Sequence, residues 1–282
     1  PRGFYKAPFY TDNNAKFVSE IGYHGAPNLE SLKKMMTPEN VYPWEKEAKA
    51  SQEDVVTVIG EVKKPETLVW NEEWQAKATM SSPNAHTNIE RNFLMVNQIR
   101  EVFGECPMEL EDFVTASQIV QAEAKKYFIE FWRMNKGQRN GILWWNLRDG
   151  WPIVSDAIID YYGEKKLAYK YIKNVQTDVC LMIGDIREGN TGHPVVLVND
   201  TRQNQKVEIN IEDKDSGRVL LSKIVQVEAN GILKVHELPK IDKNELWQIE
   251  YKVDGETYNN HYVAFTPSLE FKKYVKWLSD LK

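Results

Sequence analysis

The sequence predicts an α/β region followed by an all-β region within one chain of 282 residues. In residues 17–175, short apolar strands alternate with helical stretches in the order strand, helix, strand, helix, which is the α/β signature. In residues 178–267 the pattern consists of strands and turns, with turn residues roughly every 8 to 12 positions. The hairpin signals Asn230-Gly231 and Asp254-Gly255 favour an antiparallel sandwich in this second region.

The first strand and helix of the α/β region follow from local signals. The run FVSEIG, residues 17–22, is a short apolar strand candidate. Asn28 is placed to cap a helix that runs through LESLKKMM and stops at the pair Thr37-Pro38. Four prolines then divide residues 39–110 into short, mostly helical pieces, so we interpret this stretch as an elaborated loop region.

A long amphipathic helix is predicted for residues 113–136. Its apolar residues recur at spacings of three and four, and Gly137 ends the pattern. The β-rich run NGILWWNLRDGWP, residues 140–152, comes next, and another helix follows over residues 161–175.

The second region predicts an immunoglobulin-like antiparallel β-sandwich. Apolar and polar residues alternate in KVEINIE, as expected of strands with one buried face. The tail SLEFKKYVKWLSDLK predicts a short amphipathic helix with Val275, Leu278 and Leu281 on one side. We therefore expect three parts: an α/β part in residues 1–177, the sandwich in residues 178–266, and a C-terminal helix in residues 267–282.

Composition excludes several classes of partner. The 36 basic and 41 acidic residues give a net charge of -5 without long blocks of like charge, so neither nucleic acid nor an anionic membrane surface is expected. No apolar run approaches the roughly 18 residues of a membrane span. Glycine-rich phosphate loops and HExxH metal spacings are absent, and no cofactor is expected. Cys106 and Cys180 form no CxxC pair, and the sequence leaves the compartment open.

Two stretches carry unusual residues. Glu20 places a carboxylate inside an apolar run that otherwise predicts a buried strand, where an unpaired charge is costly. The stretch WWNLRDGWP, residues 144–152, interleaves tryptophans with polar side chains. That composition suits stacking on the C–H faces of sugars together with hydrogen bonding to hydroxyls. The alternative is an ordinary core strand whose tryptophans fill space, and periodicity by itself favours this alternative.

The two stretches, in this order, resemble the C-terminal part of glycoside hydrolase family 2, within its β-mannosidase-like branch. That branch carries Ser-Glu-Phe-Gly on one strand, Trp-Gln-Leu-Asn-Asp-x-Trp-Pro on a later strand, and then Asp-Tyr-Tyr-Gly. The resemblance covers roughly residues 1–177, and Ile21 replaces the phenylalanine of the first motif. The residues that match the three motifs are Ser19, Glu20, Gly22, Trp145, Leu147, Asp149, Trp151, Pro152, Asp160, Tyr161, Tyr162 and Gly163.

The resemblance implies a fold and a mechanism. It implies that residues 1–177 are the last βα units of a (β/α)8 TIM barrel, whose active site lies at the C-terminal ends of the strands. It implies a retaining β-glycosidase, in which two carboxyl groups lie about 5 to 5.5 Å apart. By motif, Glu20 is the nucleophile, and Trp145 forms the floor of the sugar site, the apolar surface on which the sugar ring stacks. The candidate sugar-binding residues are Trp145, Trp151, Asn146, Asp149 and His24.

The substrate that the resemblance implies is a terminal β-mannosyl, β-galactosyl or related sugar, and three positions prevent a choice among these sugars. Asn146 stands where the branch has glutamine, and Arg148 stands where it has asparagine. Arg148 either meets an acidic sugar or pairs with a neighbouring carboxylate, and we favour the pairing. His24 is either a hydrogen-bonding partner of the sugar or an ordinary loop histidine.

The resemblance also implies a missing residue. The acid/base glutamate of the family follows an asparagine on an earlier strand, and only 19 residues precede Glu20. The pair Asn71-Glu72 is better interpreted as the solvated start of a helix. We therefore expect a nucleophile-bearing portion that is inactive by itself and whose partners are a carbohydrate and an N-terminal remainder of the same polypeptide. The alternative is a non-catalytic carbohydrate-binding or scaffolding module, for which the sandwich offers few aromatic candidates: Trp247, Tyr251, Tyr258 and Tyr262.

Overall fold

The computed structural model describes residues 4–44, 70–78 and 86–281, without the side chains of residues 86–90. The chain forms two compact units, each built from segments that are distant in sequence. The first unit comprises Pro1–Tyr10, Glu20–Lys125 and Trp144–Tyr169. The second unit comprises Thr11–Ser19, Lys126–Leu143 and Lys170–Lys282.

The α/β region contains two strands and five helices among its described residues, and the strands and helices follow one another largely as the sequence predicts. In chain order they are β1 (Phe17–Gly22), α1 (Leu29–Met35), α2 (Glu72–Lys77), α3 (His86–Phe103), α4 (Leu110–Met134), β2 (Gly141–Trp145) and α5 (Leu167–Val175). Helix α3, at 18 residues, is longer than the short pieces expected in that stretch. Much of the predicted loop region, residues 45–69 and 79–85, lies outside the described residues.

Strands β1 and β2 form a two-stranded sheet. The amide of Asn140 donates to the carbonyl of Lys16 over 2.6 Å, so the strands begin side by side. Two paired strands that begin at the same end run parallel. The two strands are therefore adjacent, and their C-terminal ends lie at the same end of the sheet.

The expectation that β1 is a buried strand is wrong. Phe17, Ser19 and Glu20 are exposed, and only Gly22 is fully buried. Within the described residues β1 has one neighbouring strand, so its other edge is uncovered and its side chains remain accessible. The carboxylate of Glu20 therefore avoids the desolvation cost that its apolar neighbours in sequence suggested.

Helix α4 is buried on every face, although its sequence predicts an amphipathic helix. All residues from 116 to 132 are buried, including Glu123, Lys125, Lys126 and Glu130. The first half of the helix belongs to the first unit and the second half to the second unit. A helix that is covered all round needs partners for its charged side chains.

The all-β region is a sandwich of two antiparallel sheets, with strand orders β3-β4-β7 and β6-β5-β8-β9. Its strands are β3 (Val179–Ile183), β4 (Gly192–Asn199), β5 (Gln205–Asp213), β6 (Val219–Val227), β7 (Ile232–Pro239), β8 (Glu245–Val253) and β9 (Glu256–Ala264). Inward-facing side chains of both sheets, among them Leu197, Ile211, Trp247 and Ile249, form one apolar core.

The two predicted hairpin signals have different outcomes. Asp254 (φ 51°) and Gly255 (φ 85°) close the hairpin between β8 and β9, as predicted. Asn230 (φ 51°) also turns the chain, but it connects β6 of one sheet to β7 of the other. A turn residue specifies a local reversal, whereas the burial of apolar faces decides which strands pair.

The C-terminal tail forms helix α6 (Phe271–Leu278), as predicted. Of the three residues expected on its buried side, Leu281 is buried, whereas Val275 and Leu278 are half-buried. Within the helix the buried side chains are the aromatic ones of Phe271, Tyr274 and Trp277, because large rings remove more apolar area from water than valine or leucine. No helix of the described ranges has the length and apolar character needed to cross a bilayer.

Candidate active site

The two motif strands place Glu20 and Trp145 at one end of the β1–β2 pair. Glu20 is the fourth of the six residues of β1, and Trp145 is the last residue of β2. Both side chains are exposed, and 49% of Trp145 is accessible. An accessible carboxylate and an accessible indole at the carboxyl ends of parallel strands are suited to contact a ligand from solvent.

The loop after β2 presents further large side chains to solvent. Trp151 is 41% exposed and Leu147 is 57% exposed. The interpretation of this stretch as an ordinary core strand is therefore wrong for Trp145 and Trp151. An exposed indole offers the flat apolar face on which a sugar ring can stack.

Asn146 and Arg148 are held by main-chain carbonyl groups. The side-chain amide of Asn146 donates to the carbonyl of Arg148 over 3.3 Å, and its own buried oxygen has no hydrogen-bond partner in the described part of the chain. The guanidinium of Arg148 donates to the carbonyl of Tyr161 over 3.1 Å. This contact replaces the carboxylate pairing that we favoured for Arg148, because the segment that carries Tyr161 folds back beside it.

Asp149 is buried, unlike the tryptophans around it. Ser155 donates its hydroxyl to one carboxylate oxygen over 2.5 Å, and the other oxygen is without a hydrogen-bond partner among the described residues. Burial raises the pKa of Asp149; Lys166 and the Ser155 bond oppose this rise, whereas Asp160 and Asp156 add to it. Asp149 therefore lies within a group of mutually interacting buried charges.

His24 is also buried, and it pairs with a carboxylate. Its Nδ1 lies 2.8 Å from an oxygen of Asp156, and Arg91 approaches the other oxygen at 3.7 Å. Burial alone would raise the pKa of Asp156, but His24, Lys125 and Arg91 together hold it well below the ordinary value of 3.8. The ring of His24 is thus held by its contact with Asp156 within the protein, and a role in sugar binding stays a prediction.

Two buried lysines complete this group, and sequence reasoning missed both. Lys166 donates to the carbonyls of Gly25 (2.8 Å) and Ser155 (3.2 Å), and Lys125 of α4 donates to the carbonyl of Trp145. Burial lowers the pKa of Lys166 to about 8, although the nearby aspartates oppose this. For Lys125, the sequence signal that could have revealed it is the lysine pair in AEAKKYF, which interrupts an apolar helical run.

The pair Asn71-Glu72 is the start of a helix, as we favoured. The side chain of Asn71 accepts a hydrogen bond from the amide of Trp74 over 2.9 Å, which caps α2, and Glu72 is exposed. Asn71 also donates to the carbonyl of Tyr42 over 2.7 Å. These bonds account for Asn71 structurally.

The tryptophans of the same stretch are core residues. Trp44, Trp70 and Trp74 are buried, and the rings of Trp44 and Trp70 lie 4.2 Å apart beside Phe113. Among the described residues, no group of three or more His, Cys, Asp or Glu side chains has a metal-binding arrangement.

Comparison with curated proteins finds β-mannosidases. No family model matches the chain. β-Mannosidase B of Aspergillus niger is 29% identical over 135 residues, which make up 42% of this chain and 16% of that protein. β-Mannosidase B of Aspergillus flavus is 37% identical over 70 residues, or 24% of this chain and 8% of that protein. The chain thus spans less than a fifth of the length of these relatives.

Solved structures extend the similarity to nearly the whole chain. The β-D-mannosidase of Dictyoglomus thermophilum superposes with a TM-score of 0.67 and 25% identity, covering 90% of this chain and 28% of that one. The exo-chitosanase of Amycolatopsis orientalis superposes with a TM-score of 0.61 over 93% of this chain and 30% of that one. At 17% identity the second likeness concerns the fold alone. Together these findings show that the chain is similar to the C-terminal part of a glycoside hydrolase family 2 enzyme of the β-mannosidase-like kind.

Proposed function

We propose that this chain is the nucleophile-bearing C-terminal portion of a retaining β-glycoside hydrolase that removes terminal β-mannosyl or related sugars, such as β-galactosyl units. The observation that carries the proposal is the position of Glu20 and Trp145 at the same end of a parallel strand pair, in a chain whose relatives are β-mannosidases. Residues 1–177 then correspond to the last βα units of a (β/α)8 barrel. The preceding strands of that barrel supply the remainder of the pocket.

In the proposed mechanism, Glu20 attacks the anomeric carbon of the sugar. The bond from this carbon to the leaving oxygen breaks, and a second carboxylic acid gives that oxygen its proton. The same second group then removes a proton from water, which hydrolyses the glycosyl ester and regenerates the carboxylate of Glu20. The second group belongs to the upstream part of the barrel, because Glu72 starts a helix in the described structure.

The exposed side chains around Glu20 have a binding role in this proposal. Trp145 forms the apolar floor under the sugar ring, and Trp151 extends the aromatic surface. Asn146 and Asp149 each keep one buried side-chain oxygen without a hydrogen-bond partner among the described residues, and these oxygens are our candidates for accepting hydrogen bonds from sugar hydroxyls. His24 is buried beside Asp156 and remains a candidate for a hydrogen bond to the sugar.

The alternative, a carbohydrate-binding or scaffolding module, is less well supported by the described residues. A sandwich that binds sugars through stacking needs aromatic side chains on its surface. Trp247, Tyr251 and Tyr262 are instead buried in the sandwich, and Tyr258 is half-buried with its ring stacked 5.4 Å from that of Tyr251.

Covalent trapping of the nucleophile tests the proposal. The chain is combined with a polypeptide that carries the upstream barrel strands and is treated with 2-deoxy-2-fluoro-β-mannosyl fluoride, and the protein is digested for mass spectrometry. We expect one fluoroglycosyl group on the peptide that contains Glu20, because the fluorine slows hydrolysis of the ester. Glu20→Gln should remain unlabelled, and Glu72→Gln should be labelled like the unmodified chain. Labelling of another residue, or of Glu20→Gln, would contradict the assignment.

A further inference from the structure

A buried lysine lies beneath the end of strand β2. Lys125 is buried in α4, and its ammonium group donates a hydrogen bond to the main-chain carbonyl of Trp145. The same nitrogen lies 5.6 Å from the centre of the Trp144 ring. An ammonium group is costly to bury unless nearby groups compensate its charge. Lys125 thus fixes the backbone that carries the proposed sugar floor.

The compensating carboxylate touches the other strand of the pair. Burial lowers the pKa of Lys125 to about 7, with the charge of Asp156 opposing this change and that of Lys166 adding to it. A Cβ atom built on Gly22, the last residue of β1, would lie 2.9 Å from the carboxyl group of Asp156. The carboxylate therefore packs against the backbone two residues after Glu20, where a larger residue than glycine would displace it.

We propose that Lys125 is a positioning residue that, together with Asp156, sets the end of the Trp145 strand relative to the end of the Glu20 strand. This inference rests on the proposed function, since it concerns the alignment of nucleophile and sugar floor. In this inference Lys125 acts through the carbonyl of Trp145, to which it donates its hydrogen bond. A displacement of the reacting groups by about 1 Å can lower the reaction rate by about 10²-fold. The gain in rate from correct positioning would therefore offset the cost of burying the ammonium group.

Fluorine NMR of the 282-residue chain tests the structural part of this inference. The chain is labelled with 5-fluorotryptophan, and Trp145→Phe assigns the Trp145 resonance by its loss. Lys125→Met keeps the length of the side chain but removes the charge and the donor. We expect the Trp145 resonance, with that of neighbouring Trp144, to shift and broaden in Lys125→Met and to stay unchanged in the exposed control Lys33→Met.

An unchanged Trp145 resonance in Lys125→Met overturns the inference. If Lys125→Met fails to unfold cooperatively on heating, Asp156→Asn replaces it, because it preserves side-chain volume while removing the compensating charge. The same shift of the Trp145 resonance is then expected, and its absence overturns the inference equally.

The trapping reaction tests the functional part. In the combination with the upstream strands, Lys125→Met should slow labelling of Glu20 by about 10- to 100-fold. The dissociation constant of the sugar should change far less, because the binding groups remain. Equal labelling rates with and without Lys125 would contradict the positioning role. A complete lack of labelling in the unmodified protein would instead contradict the proposed function, and the fluorine spectra would still decide whether Lys125 positions Trp145.

Discussion

Asp156 is the residue on which the buried charges of the candidate site depend most. It is the carboxylate that His24, Lys125 and Arg91 all approach, and those charges hold its pKa well below the ordinary value of 3.8. Removal of one partner from a buried ion pair typically costs about 3 to 5 kcal/mol. We therefore expect Asp156→Asn to lower the free energy of unfolding at neutral pH by roughly that amount, measured by urea denaturation.

The same prediction has a defined pH dependence. A carboxylate whose folded pKa is depressed stabilises the protein above its unfolded pKa, and this stabilisation is lost as the pH falls through the folded value. The difference between the unmodified chain and Asp156→Asn should therefore be largest near pH 7 and should shrink below about pH 4. Burial raises the pKa of Asp149 and the charge of Asp156 raises it further, so Asp156→Asn should also make the rise of Asp149 smaller. The exposed control Asp242→Asn should show no such dependence, and a constant difference at all pH values would contradict the assignment.

Helix α4 carries a second buried charge pair in its other half. Lys126 donates to Glu130 over 2.8 Å, both side chains are buried, and Asn260 of β9 donates to the second oxygen of Glu130 over 2.8 Å. Glu130→Gln leaves the ammonium group of Lys126 buried without its counter-charge. We expect a loss of about 3 to 5 kcal/mol in the free energy of unfolding, measured by urea denaturation.

An exposed pair on another helix is the matched control. Lys33 and Glu30 of α1 lie 2.7 Å apart, and their side chains are 51% and 74% exposed. Because water already solvates both charges, Glu30→Gln should change the free energy of unfolding by less than about 1 kcal/mol. Equal losses of unfolding free energy in Glu130→Gln and Glu30→Gln would show that burial does not determine how much the Lys126–Glu130 pair contributes to stability.

If the acid/base group lies on an upstream segment, as proposed, the molecule as a whole should not turn over glycosides by itself. General acid catalysis is typically worth about 10²- to 10⁴-fold in rate, and in the proposed barrel the upstream strands would also shape the pocket. We expect the 282-residue chain to leave aryl β-mannosides and β-galactosides intact, and the added upstream polypeptide to restore release of the aryl group. Turnover by the chain alone that disappears in Glu20→Gln would show that a second carboxylic acid is already present, with Glu72 the first candidate.

Features set by local contacts were predictable from the sequence. The long helix before Met134 and the hairpin at Asp254 follow from contacts between residues a few positions apart. The helix at residues 29–35 begins after Asn28 as predicted, but the side chain of Asn28 accepts a hydrogen bond from distant Gln118 over 2.8 Å and makes no capping bond. The exposure of Glu20 depends instead on how many strands flank β1, which a pattern along one strand does not contain.

The buried charged residues of the candidate site could not be predicted from the sequence either, because their burial also depends on long-range packing. Lys125 and Asp156 are separated by more than thirty positions in sequence. Apart from the apolar helical run around Lys125, nothing in the sequence around either residue distinguishes it from an ordinary solvent-exposed lysine or aspartate. Only the packing of other segments over both faces of α4 turns Lys125 into a buried donor. The motif residues were found because the resemblance carries this long-range information.

The division of α4 between the two units has an evolutionary consequence. The second unit uses Lys126–Leu143 as well as the sandwich, and Glu130 and Arg133 contact Asn260 and Asp200 within it. A gene fusion that transferred only the sequence after residue 177 would leave both of those sandwich residues without their helical partners. Recombination should therefore exchange this sandwich between proteins only together with the helix, so that the two are inherited as one block.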